Sequence, residues 1–258
     1  MKFKKRVKKN KKRKNIYILP NILTTGNLFF GFFSLISTIN GKFSTAAIAI
    51  FIAAMFDQLD GRVARLTKST SCFGGEYDSL ADLVSFGIAP GILIFLWALK
   101  PYGRLGWLAA FLFVACGALR LARFNVQATN EQSKYFKGLP IPVAASMIAS
   151  TVLLFNRFKD IIPPKQVPVL ILTYILAFLM VSRIKYDSFK DWDTVKQKPF
   201  EVMVLIILFI VLLVAEPALM LFLFTLIYIL LGPVHSFLEW QKIKKVEKPE
   251  KESEEVNY

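Results

Sequence analysis

The stretch from residue 57 to residue 82 reads DQLDGRVARLTKSTSCFGGEYDSLAD. It contains four aspartates, and long apolar runs flank it on both sides. A carboxylate close to a low-dielectric medium costs several kcal/mol unless it is protonated or neutralised by a partner. Four acids in this setting indicate a site that binds cations.

The composition identifies the class of protein around this stretch. The chain has 258 residues, of which 55% are hydrophobic and 24 are Phe, and its mean hydropathy is +0.48. A soluble domain of this length is far less apolar. The net charge of +15 comes from clusters between apolar runs rather than from one continuous face, which argues against nucleic-acid binding. We therefore predict an all-α, polytopic integral membrane protein that contacts membrane lipids.

Eight apolar stretches are candidates to cross a bilayer whose hydrocarbon core is about 30 Å thick. They divide the chain into four parts. We expect a basic cytoplasmic arm, disordered against anionic headgroups, a six-helix transmembrane core, an additional helical hairpin, and a disordered charged tail. These parts cover residues 1–15, 16–200, 201–241 and 242–258, and the helices are predicted at 21–40, 43–66, 79–99, 104–123, 141–156, 166–183, 201–215 and 217–238.

Basic residues predict the orientation, because cytoplasmic loops carry an excess of Lys and Arg. The first fifteen residues hold ten Lys or Arg, whereas the connection between the first two predicted helices holds only Lys42. With the N-terminus inside, no inner segment holds fewer basic residues than an outer one. We expect both termini and the acidic stretch to face the cytoplasm, in the cell (inner) membrane.

The aspartates fall into two helical pairs. Asp57 and Asp60 are three residues apart on the second helix, and Asp78 and Asp82 are four apart on the third. The pairs can converge if the glycines at positions 74 and 75 form the turn between these helices. Oxygen ligands alone favour Mg²⁺ or Mn²⁺, with Ca²⁺ as a further option, over zinc. We predict two divalent cations, held by all four carboxylates.

Small and basic residues accompany the acids on the second helix. Gly61 and Ala64 share the stripe of the first two aspartates and leave room for a bulky phosphate ester. Arg65 lies about one turn beyond and has the planar fork of donors that suits a phosphate oxygen. The set indicates phosphoryl chemistry, in which Asp82 has the alternative task of removing a proton from an incoming alcohol.

Two other interpretations are consistent with intramembrane carboxylates. They form proton or cation pathways in transporters, and here they could belong to a cation-coupled transporter or to a structural salt-bridge network. The transporter interpretation lacks a visible repeat or an interrupted helix in this sequence. The paired spacing, with Gly, Ala and Arg in register, favours the phosphoryl site.

The pattern D-x2-D-G-x2-A-R-x8-G-x3-D-x3-D resembles the complete signature of the CDP-alcohol phosphotransferases. The resemblance implies that Asp57, Asp60 and Asp78 bind metals and that Asp82 both contacts a metal and acts as general base. It also implies transfer of a phosphatidyl-type group from a CDP-linked lipid to an alcohol, with release of CMP, in a homodimer. The nucleotide and diphosphate cradle would then comprise Asp60, Gly61, Ala64, Arg65, Gly74 and Asp78.

Three further segments, at 20–27, 117–125 and 136–142, resemble stretches of the serine-accepting members of that family. They imply CDP-diacylglycerol as donor and L-serine as acceptor. Arg120 and Arg123 are three residues apart at a cytoplasmic helix end, where they can meet an anionic group; Asn125 and Asn27 are further candidates. Such arginines also serve as topology markers that reach the headgroups. Glycerol 3-phosphate or inositol phosphate remains an alternative acceptor.

Overall fold

Helices dominate the computed structural model, which describes residues 2–67, 71–128, 136–158, 166–182, 184–186, 199–234 and 236. The α-helices among these residues are α1 (Lys2–Ile39), α2 (Phe43–Leu66), α3 (Cys72–Asp82), α4 (Ala89–Ile94), α5 (Arg104–Ala128), α6 (Ile141–Arg157), α7 (Gln166–Val181), α8 (Pro199–Ala215) and α9 (Pro217–Val234).

The third predicted helix is one continuous rod from Phe73 to Tyr102. It contains α3 and α4, a π-helical segment at Leu83–Ile88, a second at Phe95–Leu99, and a 3₁₀ turn at Lys100–Tyr102. With this rod counted once, a helix occupies each of the eight predicted positions.

Five helices in the described part of the chain are long and apolar enough to cross a membrane, and the all-α membrane architecture is thereby confirmed. Two further apolar helices, Ile141–Arg157 and Val167–Val181, are shorter. The five long spans are Ile18–Ile39, Phe43–Leu66, Phe73–Tyr102, Arg104–Val126 and Pro217–Val234.

The basic N-terminal segment differs from the disorder that the sequence predicted, because the backbone of α1 is helical from Lys2 onward. Lys and Arg are good helix formers, and neither Gly nor Pro occurs before Pro20, so the helix of the first span continues into the charged segment. The tail at 242–258, also predicted to be disordered, lies outside the described residues.

Small residues bring the helices close together near the first two spans. Ala46, Ala47, Ala49 and Ala53 form a fully buried face of α2. A side chain at Gly31 of α1 would overlap Ser85, in the π-helical segment after α3. Without a hydrophobic driving force inside the bilayer, close van der Waals contact of this kind holds membrane helices together. The packing fixes α1 against α2 and α3, which carry the aspartates.

Two segments of two residues each pair as antiparallel strands, with Phe136 opposite Tyr186 and Lys137 opposite Lys185. We name these segments β1 (Phe136–Lys137) and β2 (Lys185–Tyr186). Gly138 follows with φ +85° and donates its N–H to the Ile184 carbonyl oxygen at 2.8 Å. Any side chain at position 138 would overlap the Met180 carbonyl, so this tight entry into α6 requires glycine.

Candidate active site

Three carboxylates converge where the C-terminal part of α2 faces α3. One carboxylate oxygen from each of Asp57, Asp60 and Asp78 lies within 4.8 Å of the other two. Asp57 and Asp78 are half-buried and Asp60 is buried. The two helices thus bring together three of the four acids in the predicted pattern. We call these three residues the carboxylate cluster.

Helix α1 forms a polar wall beside the carboxylate cluster. The Thr24 hydroxyl lies 2.8 Å from Asp60 Oδ2 and donates a hydrogen bond to it. Thr24 is buried, and its hydroxyl lies on the face of α1 that packs against α2. A neutral donor orients the Asp60 carboxylate without cancelling its charge.

Asp82 lies one helical turn after Asp78 and is 9% exposed. Asn27 Nδ2 donates a hydrogen bond of 2.9 Å to Asp82 Oδ1. The backbone carbonyl of Asn27 in turn accepts a hydrogen bond of 3.0 Å from the Ser85 hydroxyl. The π-helical segment after α3 therefore positions Ser85 so that it holds Asn27 against Asp82, and π-helical turns are frequent at functional sites.

No salt bridge within the described part of the chain balances the negative charge of this region. Among the described residues, none of the four aspartates forms a salt bridge, and the pairing that does occur joins Arg157 to Glu216. Burying several like charges without partners is strongly unfavourable. The four aspartates therefore do not form a structural salt-bridge network with other described residues.

Two orphaned oxygens show that the site fits a cation. Asp78 Oδ1 and Asn27 Oδ1 are buried and have no hydrogen-bond partner among the described residues. Buried acceptors without partners are rare and mark sites for an ion or water. The donor set of the carboxylate cluster is oxygen alone, which suits Mg²⁺, Mn²⁺ or Ca²⁺. These residues could hold a divalent cation, with Asp82 beside them.

The small residues of the pattern leave space beside the carboxylates. A Cβ added at Gly61 would meet nothing within 4 Å, and Ala64 is half-buried. Arg65 is exposed, and its Nε donates to the Gly61 carbonyl at 3.0 Å. This contact uses Nε and not the terminal nitrogens of the guanidinium, so the terminal nitrogens can meet a phosphate oxygen.

Gly74 and Gly75 lie in the first turn of α3, which begins at Cys72, rather than in the turn between helices that the sequence predicted. Ser71 caps this helix, because its hydroxyl accepts the Gly74 N–H at 3.0 Å. A serine cap satisfies an otherwise free donor and allows the helix to start ahead of two glycines. A Cβ at position 74 would lie 3.4 Å from Asn21 Oδ1.

The three candidate acceptor residues on α5 differ in their contacts. Arg123 Nη1 donates to the Val181 carbonyl at 3.1 Å, which satisfies the C-terminus of α7. Asn125 accepts from the Ser79 hydroxyl at 3.1 Å and donates to Glu76 at 3.3 Å, linking α5 to α3. Arg120 Nε is buried and has no hydrogen-bond partner among the described residues. The structure thus engages Arg123 and Asn125 in packing and leaves Arg120 with an unused donor.

Thr24 and Ser85 were not among the candidate residues from sequence. Thr24 and Asn27 are three residues apart in α1, and this spacing was a usable signal for a polar face. Ser85 gave no such signal, because a lone serine in an apolar helix usually bonds to its own backbone.

The family comparison agrees with this geometry. A sequence profile described as CDP-alcohol phosphatidyltransferase matches residues 17–181, which contain the carboxylate cluster, Asp82 and the acceptor candidates.

Curated relatives extend the match. A Helicobacter pylori protein named CDP-diacylglycerol-serine O-phosphatidyltransferase is 35% identical over 219 residues, covering 84% of this chain and 90% of the relative. A Bacillus subtilis protein of the same name is 36% identical over 176 residues, covering 67% of this chain and 91% of the relative. An archaetidylserine synthase of Methanothermobacter thermautotrophicus is 38% identical over 179 residues, covering 69% and 72%. This chain belongs to the CDP-alcohol phosphatidyltransferase family.

Proposed function

We propose that this chain transfers the phosphatidyl group of CDP-diacylglycerol to the hydroxyl of L-serine, giving phosphatidylserine and CMP. The observation that carries the proposal is the carboxylate cluster, three oxygens within 4.8 Å of one another on two facing helices, with buried Asp82 one turn away. The serine-accepting relatives supply the substrate class.

The donor lipid approaches α2, where its diphosphate occupies the space over Gly61 and Ala64. Apart from the backbone of its own helix turn, no described residue lies within 4 Å of a Cβ built at Gly61, so the phosphate oxygens can come close to the helix there. The terminal nitrogens of Arg65 hold one of these oxygens. In this position the acyl chains of the donor lie on the membrane side of the carboxylate cluster, and the cytidine lies on the aqueous side.

Asp57, Asp60 and Asp78, with Asp82 adjacent, would hold two divalent cations, Mg²⁺ or Mn²⁺. Such cations, when bound, neutralise the diphosphate and stabilise the charge that develops on the leaving group. Thr24 orients Asp60 by donating to its Oδ2 at 2.8 Å. Support for this ligand set comes from the orphaned Asp78 Oδ1 and the absence of a salt bridge at any of the four aspartates in the described part of the chain.

Asp82 acts as the general base. Its Oδ1 is occupied by the Asn27 amide at 2.9 Å, so Oδ2 takes the proton from the serine hydroxyl. The serine oxygen forms a bond to the lipid-side phosphorus while the bond from that phosphorus to the bridging oxygen breaks. The electron pair leaves with CMP. No Ser, Cys or His belongs to the carboxylate cluster, so we assign direct transfer rather than a covalent enzyme intermediate.

Arg120 receives the serine carboxylate. Its Nε is buried and has no hydrogen-bond partner among the described residues, so it can donate to an anionic group. An acceptor with a hydroxyl at Asp82 and a carboxylate at Arg120 fits this arrangement. Glycerol 3-phosphate and inositol phosphate carry a doubly charged phosphate instead, which needs more cationic partners than a carboxylate does.

A panel of acceptors tests the function. Detergent-purified protein with CDP-diacylglycerol and Mn²⁺ or Mg²⁺ should release CMP when L-serine is added, and not with glycerol 3-phosphate or inositol phosphate. Release with another alcohol alone would overturn the acceptor assignment. No release with any acceptor, together with cation flux in liposomes, would favour a transporter. CDP-archaeol belongs in the panel as a donor, because one relative is named archaetidylserine synthase.

The setting of the reaction is also part of the proposal. The excess of basic residues in the N-terminal segment and in the inner connections supports cytoplasmic termini and a cytoplasmic active site in the cell (inner) membrane. A homodimer is proposed from the family resemblance. Cysteine accessibility at either end of α2 tests the orientation, and cross-linking in the membrane tests the dimer.

A further inference from the structure

An apolar groove lies between α2, α6 and α9. Its volume is about 510 Å³, within the range of about 300–1,000 Å³ that is typical of sites for small molecules. Ile48 of α2, Leu153 of α6 and Leu221 of α9 are among the apolar residues on its walls. Ile48 is 50% exposed, and Met55, which also lines the groove, is 62% exposed. The groove is therefore open along one side, and a ligand can enter it from the bilayer.

The polar residues that line the groove all lie at one end of it. Ser44 is near the start of α2, and Asn156 and Arg157 are at the end of α6. Asn156 donates a hydrogen bond to the Ser44 hydroxyl, which links the two helices there. We call these three residues the polar mouth. Asp57 lies thirteen residues after Ser44 on α2, about 20 Å away at 1.5 Å per residue, so the polar mouth is remote from the carboxylate cluster.

The groove has about the length of one bilayer leaflet. Ser44 and Met55 are the first and last lining residues on α2, and the eleven positions between them span about 16 Å. Half of a hydrocarbon core of about 30 Å is about 15 Å. The wall formed by α9 is fixed to α6, because the hydroxyl oxygens of Thr225 and Ser150 lie 3.4 Å apart. An acyl chain that starts at the polar mouth therefore matches the depth of the groove.

The charges at the polar mouth favour an anionic headgroup. Arg157 forms a salt bridge of 3.2 Å with Glu216, yet its side chain is still 62% exposed. The exposed Lys42 is the N-cap of α2, two residues before Ser44. Two cations and one anion give these three described residues a net charge of +1. Arginine binds phosphate through charge-assisted hydrogen bonds. We propose that the groove binds one anionic phospholipid, with an acyl chain along α2 and the phosphate at Arg157.

This lipid is distinct from the donor of the transfer reaction. The diphosphate of the donor is assigned to the carboxylate cluster, about 20 Å along α2 from the polar mouth. The lipid in the groove is not consumed, and it binds only the folded chain, because the unfolded chain has no groove. It should therefore raise the thermal stability of the protein. The inference holds whichever alcohol accepts the phosphatidyl group.

Lipid titration of the detergent-purified chain tests the site. Dioleoylphosphatidylglycerol should raise the unfolding temperature saturably, and native mass spectrometry should show one lipid that is retained preferentially. Dioleoylphosphatidylcholine should bind about fivefold more weakly, because its headgroup has no net charge. Inorganic phosphate should not stabilise the protein. Equal binding of both lipids would overturn the preference for an anionic headgroup, and stabilisation by phosphate alone would indicate an ion site without a lipid.

Two isoleucine substitutions test the groove itself. Ile48→Trp places a bulky side chain in the groove and should weaken the binding of phosphatidylglycerol about tenfold or more. Ile175→Trp is the matched control, because Ile175 is 48% exposed on α7 and does not line the groove. This variant should keep the wild-type affinity. Equal affinities in the two variants would overturn the proposed site.

The salt bridge at the polar mouth supplies a second matched pair. Arg157→Gln and Glu216→Gln remove the same salt bridge, so they should have similar stability without lipid. Only Arg157→Gln removes the cation, and it should weaken the binding of phosphatidylglycerol about fivefold. Glu216→Gln should bind the lipid as well as wild type or more tightly. An equal loss of affinity in both variants would overturn the contact between Arg157 and the lipid phosphate.

Two other occupants of the groove give different results. If an acyl chain of the donor fills the groove, Ile48→Trp will raise the KM for CDP-diacylglycerol, whereas we expect a change of less than about twofold. If a second copy of this chain covers the groove, Ile48→Cys will form a disulfide-linked dimer in the membrane that wild type does not form. Either result would overturn the inference while leaving the proposed transferase activity intact.

Discussion

Asn27 Nδ2 lies 2.9 Å from Asp82 Oδ1, and this hydrogen bond joins the first membrane-spanning helix to the residue that we assign as general base. The amide occupies one carboxylate oxygen and leaves the other to take a proton from the acceptor. Its own Oδ1 remains buried without a partner among the described residues. Asn27 was only a minor candidate from sequence, and the structure gives it a direct contact with Asp82.

Replacing Asn27 tests this contact. Asn27→Ala removes the donor that fixes Asp82 and should lower kcat about tenfold or more, with a smaller change in the KM for serine. Initial rates of CMP release measure both constants. Asn156→Ala is the control, because Asn156 donates to Ser44 between α6 and α2 and is not part of the site. A loss of kcat in both variants alike would indicate a general effect on folding instead.

Thr24→Val tests the support of the carboxylate cluster. The substitution keeps the shape of the side chain and removes the hydroxyl that donates to Asp60 Oδ2 at 2.8 Å. Loss of an outer hydrogen bond to a ligating group typically weakens metal affinity about 10-fold or more. The Mn²⁺ concentration for half-maximal activity should therefore rise by about that factor.

Thr173→Val is the counterpart of this variant on α7, where the hydroxyl bonds to the Val169 carbonyl of its own helix. Its Mn²⁺ dependence should match that of wild type. An unchanged Mn²⁺ dependence in Thr24→Val would mean that Asp60 does not need this hydroxyl to bind the cation.

Substitution by alanine at two glycines, Gly31 and Gly61, should have opposite effects on the stability of the protein. Gly31→Ala places a Cβ against Ser85 and should destabilise the protein by about 1–3 kcal/mol through overpacking. Gly61→Ala adds a Cβ that contacts no described residue beyond the backbone of its own helix turn, so stability should be unchanged or about 1 kcal/mol higher in a helix interior. Thermal unfolding in detergent measures both.

The effect of Gly61→Ala on substrate binding is a separate prediction. Gly61→Ala should raise the KM for CDP-diacylglycerol, because the added methyl group takes space that we assign to the diphosphate. Gly75→Ala serves as control, since Gly75 likewise has no neighbour within 4 Å of its Cβ position among the described residues but occupies a variable position of the sequence pattern. An unchanged KM in Gly61→Ala would place the diphosphate elsewhere.

The sequence predicted the helices well because apolar length is a direct consequence of the bilayer thickness. It also predicted that the aspartates of α2 and the third helix converge, because helical spacing decides which residues share a face. The start of α3 was not predictable from the pair of glycines alone. Ser71 caps the helix ahead of them, and propensity is only a weak guide beside such a cap.

Contacts between distant helices were the part that the sequence did not reveal. Thr24 reaches Asp60 across 36 positions, and Ser85 reaches the Asn27 backbone across 58. Such contacts depend on the rotation of each helix about its axis, which packing against neighbours determines.

Direct transfer predicts the stereochemical course at phosphorus. A single in-line displacement by serine inverts the configuration, whereas a covalent intermediate followed by a second displacement retains it. CDP-diacylglycerol with a chiral phosphorothioate at the lipid-side phosphorus distinguishes these outcomes by ³¹P analysis of the product. We expect inversion, and retention would contradict direct transfer.

The most direct test of the account is serine-dependent CMP release by purified wild type and Asp82→Asn, each with and without Mn²⁺. We expect release by wild type that requires both serine and metal, and a loss of about 100-fold or more in Asp82→Asn, since general base catalysis contributes about 10²–10⁴-fold. Thermal stabilisation by Mn²⁺ in Asp82→Asn would show that the carboxylate cluster still binds the cation. Wild-type rates in Asp82→Asn, or full activity in EDTA, would contradict the account.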